Sequence, residues 1–172
     1  GKNANVPVLL STVASNLKDC GPFVSLHSDK LSTAQLAEWQ SFYEHGKALE
    51  AAGSYQEALE QYTQAAAIDP DYAELQFRIG RCHGGNRDEA KQALQRALDT
   101  DGLVVRADSR INSIIRETVD QHEEEQVVLV DAAELLANGS PGGTPGKELF
   151  YEHVHYTLQG NYQMARILAE KV

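Results

Sequence analysis

The chain has 172 residues, 42% of them hydrophobic, with 15 basic against 25 acidic side chains and a formal charge of −10. No apolar run approaches the roughly 20 residues that a membrane span requires, and the acidic excess repels a phosphate backbone, which argues against nucleic acid as a partner. The two cysteines, Cys20 and Cys82, lack close-spaced companions and suggest neither a disulfide framework nor a zinc site.

In chain order, the first residues lack the basic, apolar, small-residue succession of a signal peptide, and the compartment stays open. Val6 to Val13 is a β-branched apolar run that reads as a buried strand of a parallel sheet. A chain that opens on such a strand reads as a piece of something longer. Ala14 to Lys30, with Gly21-Pro22 and no sustained periodicity, predicts a long loop. Ser32 and Gln35 have capping-box spacing, so a helix should run from there to about Ala52 and end at Gly53. Ser54 and Glu57 repeat the signal for a second helix that stops at Asp69-Pro70. A third helix is predicted from Asp71 to Gly84-Gly85, and a fourth from Asn86 to about Asp99, making two successive helical hairpins. Ile111, Ile114, Ile115 and Val119 fall at helical spacing between Arg106 and Glu125, where Glu123-Glu124-Glu125 reads as a solvated helix end. Val127 to Val130 is a second buried-type strand, and Asn138 to Gly146 a loop. The last helix should begin at Thr157 with Leu158, Tyr162, Ala165 and Leu168 on one face.

Counted from Trp39, the first hairpin places Phe42, Gly46, Leu49, Gly53, Tyr55, Ala58, Tyr62, Ala65 and Pro70 where the roughly 34-residue tetratricopeptide (TPR) pattern has its signature residues. This stretch resembles that family. Gly46 and Ala58 would let the two helices approach closely while the aromatics fill the gaps between them. The second unit keeps Gly80, Ala90, Leu94 and Ala97, is two residues short at Gly84-Gly85, and has Gly102 at the closing proline position, so it resembles a degenerate repeat. Two units are too few for a free-standing solenoid. The resemblance implies a groove for a protein or peptide, to which Phe42, His45, Leu49 and Gln76 are assigned.

Leu149 to His155, followed by Gly160-Asn161-Tyr162, resembles the final block of the SGNH or GDSL-type hydrolases, in which an acid three residues before a histidine orients it to activate a serine. Glu152 and His155 occupy those positions, with Glu152 where the family has Asp. The strands at Val6 to Val13 and Val127 to Asp131 resemble the last two strands of that family's parallel sheet. The resemblance implies that nucleophile and oxyanion blocks lie upstream of this chain, and Ser140 has no matching context. Three readings of the histidine cluster stand: a surface cluster without chemistry, half of a hydrolytic site, or a metal site using Glu152, His153 and His155. Arg106 and Arg110, read as one helical turn apart, form a candidate anion clamp.

The expected fold is mainly α with a small parallel β element: TPR-like helical hairpins (32–102) set between two parts (1–31 and 103–172) of the C-terminal portion of a flavodoxin-like α/β/α domain of the SGNH type. The expected function is a protein- or peptide-interaction module that is not catalytic as this chain. The alternative is an esterase or acyl-transfer enzyme of the SGNH type. Neither a cofactor nor a metal is assigned. Parallel pairing of the two strands would leave an apolar edge, through which self-association is expected.

Overall fold

The computed structural model describes residues 6–83, 87–122 and 126–171. Expectations that concern Gly84 to Asn86 and the acidic run Glu123 to Glu125 lie outside the described residues. Among these residues the chain forms, in order, strand β1 (Val8–Ser11), helices α1 (Thr33–Ala51), α2 (Tyr55–Ile68), α3 (Ala73–Cys82), α4 (Arg87–Asp99) and α5 (Ser109–Asp120), strand β2 (Val127–Val130), and helices α6 (Ala132–Gly139) and α7 (Leu158–Ala169). It is a mainly helical fold with a small parallel sheet, divided into two compact units, Gly21–Val104 and Gly1–Cys20 with Val105–Val172.

The Gly21–Val104 unit consists of two helical hairpins, α1 on α2 and α3 on α4. Ser32 and Gln35 close the capping box of α1 reciprocally, and Gly53 takes φ +81° just beyond its end. Ser54 precedes α2 without a side-chain cap. The core of the first hairpin is Trp39, Tyr43, Ala58, Tyr62 and Ala65, joined by Leu75 and Cys82 of α3. Close approach explains the glycines here: a Cβ on Gly46 would lie 2.5 Å from the Tyr62 ring, and one on Gly80 2.6 Å from Leu94. α3 begins at Ala73 rather than Asp71 and has no side-chain cap from its own N-cap residue, Tyr72. Instead the Glu74 amide donates to Ser25 Oγ at 2.9 Å, in the segment that precedes α1. That segment is a strap bonded to the repeats. The Phe23 and Val24 amides donate to Asp101, and Gly102 N donates to Val24 O. His27 Nδ1 meets the buried Asp69 carboxylate at 2.8 Å, with its ring stacked on Tyr72 and set edge-on to Trp39.

In the other unit β1 pairs with β2 in parallel, Val8 opposite Val127 through Ser11 opposite Val130. Parallel strands need a long crossover, and here the whole helical stretch supplies it. α5 packs on both strands, and its Asn112 side chain bonds both the amide and the carbonyl of Val13. At the carboxyl ends of the strands Asp131 accepts from Thr12 Oγ1 and from Arg116 at 2.7 and 3.0 Å while capping α6. The Arg116 hydrogen bond, against partial desolvation and with help from Thr12 and the Glu134 amide, holds the Asp131 carboxyl below its usual range. Ala14, Leu136, Leu149 and Phe150 form the small core between this end and α7.

Four sequence expectations change here. The strand read as buried over Val6 to Val13 covers Val8–Ser11, and Val6, Val8 and Val13 are exposed. The helix predicted from Arg106 starts at Ser109, because Asp108 caps it through the Ile111 amide. Ala132 to Gly139 is helical, although the sequence suggests no element there and a loop from Asn138. The predicted inner face of α7 is not the buried one: Leu158 and Tyr162 are exposed, and Gly160 and Ile167 face the core. A Cβ on Gly160 would strike the Leu149 carbonyl at 2.2 Å, so this helix start seats directly on backbone.

Candidate functional site

Two places carry chemistry, one in each unit. In the helical unit, Arg78 of α3 reaches across to α1, donating to Glu50 Oε2 at 2.8 Å and to Tyr43 Oη at 3.2 Å, while also bonding Glu74 at 2.7 Å. Burial would lower the Arg78 pKa, but the Glu74 and Glu50 hydrogen bonds outweigh it and raise it. Tyr62 Oη donates to the same Glu50 carboxylate at 2.7 Å. Burial, then that carboxylate, drives the Tyr62 phenol far above its ordinary value. These bonds tie α1 and α3 into one face. Lys47 lies over the Tyr43 ring at 5.4 Å and Arg81 over the Phe77 ring at 5.8 Å, so the face is built of aromatic rings with cations over them.

None of the four residues assigned to the groove from sequence is a partner in the Arg78 bonds just described. Phe42 and Leu49 are half-buried against the hairpin core. His45 Nδ1 contacts Gln61 Oε1 of α2 at 3.1 Å, and Gln76 is buried with Nε2 donating to the Pro70 carbonyl. Phe42, Leu49 and Gln76 are thus taken up by packing or a turn, while His45 is exposed. The α1–α3 face is carried by Tyr43, Lys47, Glu50, Phe77, Arg78 and Arg81, which the sequence reading did not single out. The available signal was that Lys47 and Glu50 follow Gly46 and Leu49 of the packing set by one residue.

The second place is the turn between Phe150 and Tyr156, which form an antiparallel bridge with their rings stacked at 4.8 Å. Tyr151 N donates to His155 O at 2.8 Å and closes the turn. Inside it the Glu152 carboxylate accepts from the amides of His153 (2.7 Å), Val154 (3.2 Å) and His155 (2.7 Å), and from His155 Nδ1. The His155 amide, against some desolvation, and then its ring and the other two amides hold the Glu152 pKa at about 2. Glu152 is therefore a fixed anion. The His155 side chain is 80% exposed, and with Nδ1 engaged, Nε2 is the atom that can exchange a proton outward.

The segment after β1 ties this turn to the carboxyl end of the sheet. Asn16 N donates to His153 O at 3.0 Å, Leu17 N to Pro145 O, and Lys147 N to Asp19. Arg106, nearly fully buried and three residues ahead of α5, donates Nη1 to the carbonyls of Asn16 and Cys20 at 3.2 and 3.4 Å. Arg110 is exposed on α5, so the two arginines are not one helical turn apart. Burial first, opposed by Arg106, raises the Cys20 thiol pKa. Among the described residues no group of three His, Cys, Asp or Glu is placed to hold a metal ion.

No curated protein and no solved structure is significantly similar to the chain. A family model described as TPR repeat matches residues 46–86, from Gly46 in the middle of α1 through α2 and α3, so over that stretch the helical unit is similar to a TPR repeat.

Proposed function

We propose that the helical unit is a protein-interaction module and that a partner protein or peptide docks on the face shared by α1 and α3. What supports this is the Arg78 bridge to Tyr43 and Glu50, which fixes the first helices of both hairpins as one preordered surface. A surface ordered in advance loses little entropy on binding. The TPR match bears on the same helices, and such repeats typically bind proteins. The test is selection of peptides from a displayed library on the full chain, followed by affinity measurement. Lys47→Glu with Arg81→Glu should weaken selected peptides at least about tenfold through lost rim electrostatics. Gln92→Glu, on α4, should leave them unchanged. Equal loss for both changes would refute the assignment of the face.

A second reading rests on the Glu152–His155 pair. A carboxylate on Nδ1 fixes the tautomer with Nε2 unprotonated and stabilises the imidazolium formed when Nε2 takes a proton. The pair resembles the acid–histidine block of SGNH-type hydrolases. In this reading His155 is the general base of an esterase or acyl-transfer site, with the nucleophile and oxyanion donors contributed from outside residues 1–172. Joining the chain to a segment that carries a Gly-Asp-Ser block should yield ester hydrolysis that His155→Ala abolishes. Glu152→Gln should lose less. Full activity after His155→Ala would refute it.

A further inference from the structure

Resting on that second reading, we propose that Arg106 is a positioning residue for the Glu152–His155 pair, acting through the Asn16 turn. The path is continuous and runs through single peptide planes. Arg106 Nη1 binds the carbonyls of Asn16 and Cys20, which draws the ends of segment 16–20 onto one guanidinium. Asn16 Oδ1 accepts from the Asp19 amide at 2.9 Å and closes the same turn from within. The amide of Asn16, itself fully buried, then donates to the His153 carbonyl. That carbonyl belongs to the His153–Val154 peptide, whose N–H donates to Glu152 Oε1. Rotating this one peptide plane would remove a donor from the carboxylate that holds His155 Nδ1.

A buried guanidinium is costly in an apolar interior unless its hydrogen bonds are met. Arg106 spends two of them on carbonyls of the turn that carries the His153 contact. One nitrogen of the rigid guanidinium, Nη1, engages the carbonyls of residues 16 and 20 at once. A surface anion clamp would instead present the fork to solvent.

The test uses the full chain labelled with ¹⁵N and long-range ¹H–¹⁵N correlation of the imidazoles at about pH 8.5, where histidines are largely neutral. His155→Ala assigns the signal. Wild type should show His155 in the Nδ1–H form. Glu152→Ala, which leaves no side-chain acceptor, should return it to the Nε2–H form that predominates for imidazole in water; if it does not, the pairing of Glu152 with His155 is itself wrong. Arg106→Ala should shift His155 the same way while the Trp39 indole and the Val127 to Val130 amides keep their positions. A folded Arg106→Ala protein with an unchanged His155 pattern overturns the positioning role and leaves the pair intact. Should that variant not fold, Arg106→Lys decides, since the compact ammonium on its shorter stem does not reproduce the reach and planar geometry of Nη1. Faster exchange of the Asn16 and Val154 amides together with the tautomer shift supports the proposal. Faster exchange of Asn16 with His155 unmoved, or no change in either, overturns it.

Discussion

Replacing Gly46 by Ala tests the packing of the first hairpin at its tightest point. The new Cβ would lie 2.5 and 2.6 Å from two carbons of the Tyr62 ring, about 1 Å inside ordinary contact. Tyr62 has no room to retreat. It is fully buried, and its hydroxyl is tied to Glu50, which in turn holds Arg78. Overpacking of this kind costs about 1–3 kcal/mol, and a ring displacement that breaks the bond to the Glu50 carboxylate adds roughly 1 kcal/mol or more. Against this, Ala is favoured over Gly in a helix interior by about 0.5–1 kcal/mol. The net loss should be about 2 kcal/mol. The single tryptophan, Trp39, lies in this core, so its fluorescence in a urea titration reports this unit alone. With a slope of about 2 kcal/mol per molar, the midpoint should fall by roughly 1 M. An unchanged or raised midpoint would refute the packing argument.

Glu152 should stay ionised far into acid. Its folded pKa of about 2 lies below the ordinary 4.5, so its stabilisation of the turn is complete above 4.5 and lost as pH falls through the folded value. The His153, Val154 and His155 amide shifts should therefore titrate near pH 2, and a midpoint near 4.5 would contradict the bonding described. Gly160→Ala should displace the Leu149 carbonyl that accepts from Thr157 N at the base of the His155 turn, read as loss of protection at Thr157 N and Tyr151 N in hydrogen exchange. Arg116→Met should loosen the strand pair through Asp131. Discounted for the partial exposure of Arg116, the cost is about 1 kcal/mol, visible as roughly fivefold faster exchange of the β2 amides. As it stands, the chain should not hydrolyse simple esters above background, and His155→Ala should change nothing in that assay, since a single oxyanion donor is worth about 100–1,000-fold and none is assigned here.

The features legible in sequence were those decided within one turn of chain. The capping box of Ser32 and Gln35, the Gly53 stop and the three-residue spacing of Glu152 and His155 all depend on neighbours in sequence. α6 was overlooked although Asp131 is a good N-cap, because eight residues wedged between a strand and a glycine-rich loop show too little periodicity. In sequence the strap reads as plain loop, since its partners Asp69, Glu74 and Asp101 lie 41 to 78 residues away. Distance also hid the role of Arg106, which meets Asn16 across 90 residues, and its four-residue spacing from Arg110 suggests a helical anion clamp instead. On α7, Gly160 marks the buried side, and a pattern search weighted toward large side chains reads past a glycine.

The strap bears on how this molecule can be divided. A helical piece cut at Ser32 would begin with a good cap on α1 and look complete by pattern. It would, however, strip Asp69 of both His27 and the Ser28 amide and leave a carboxylate inside an aromatic nest. The same cut would take Ser25 from the first turn of α3, and would free both Asp101 oxygens from the Phe23 and Val24 amides. Cutting at Gly21 keeps all of these. The eleven residues of apparent linker are thus better treated as the first part of the repeat, and a fusion or graft that respects only the helix boundaries would inherit a damaged hairpin.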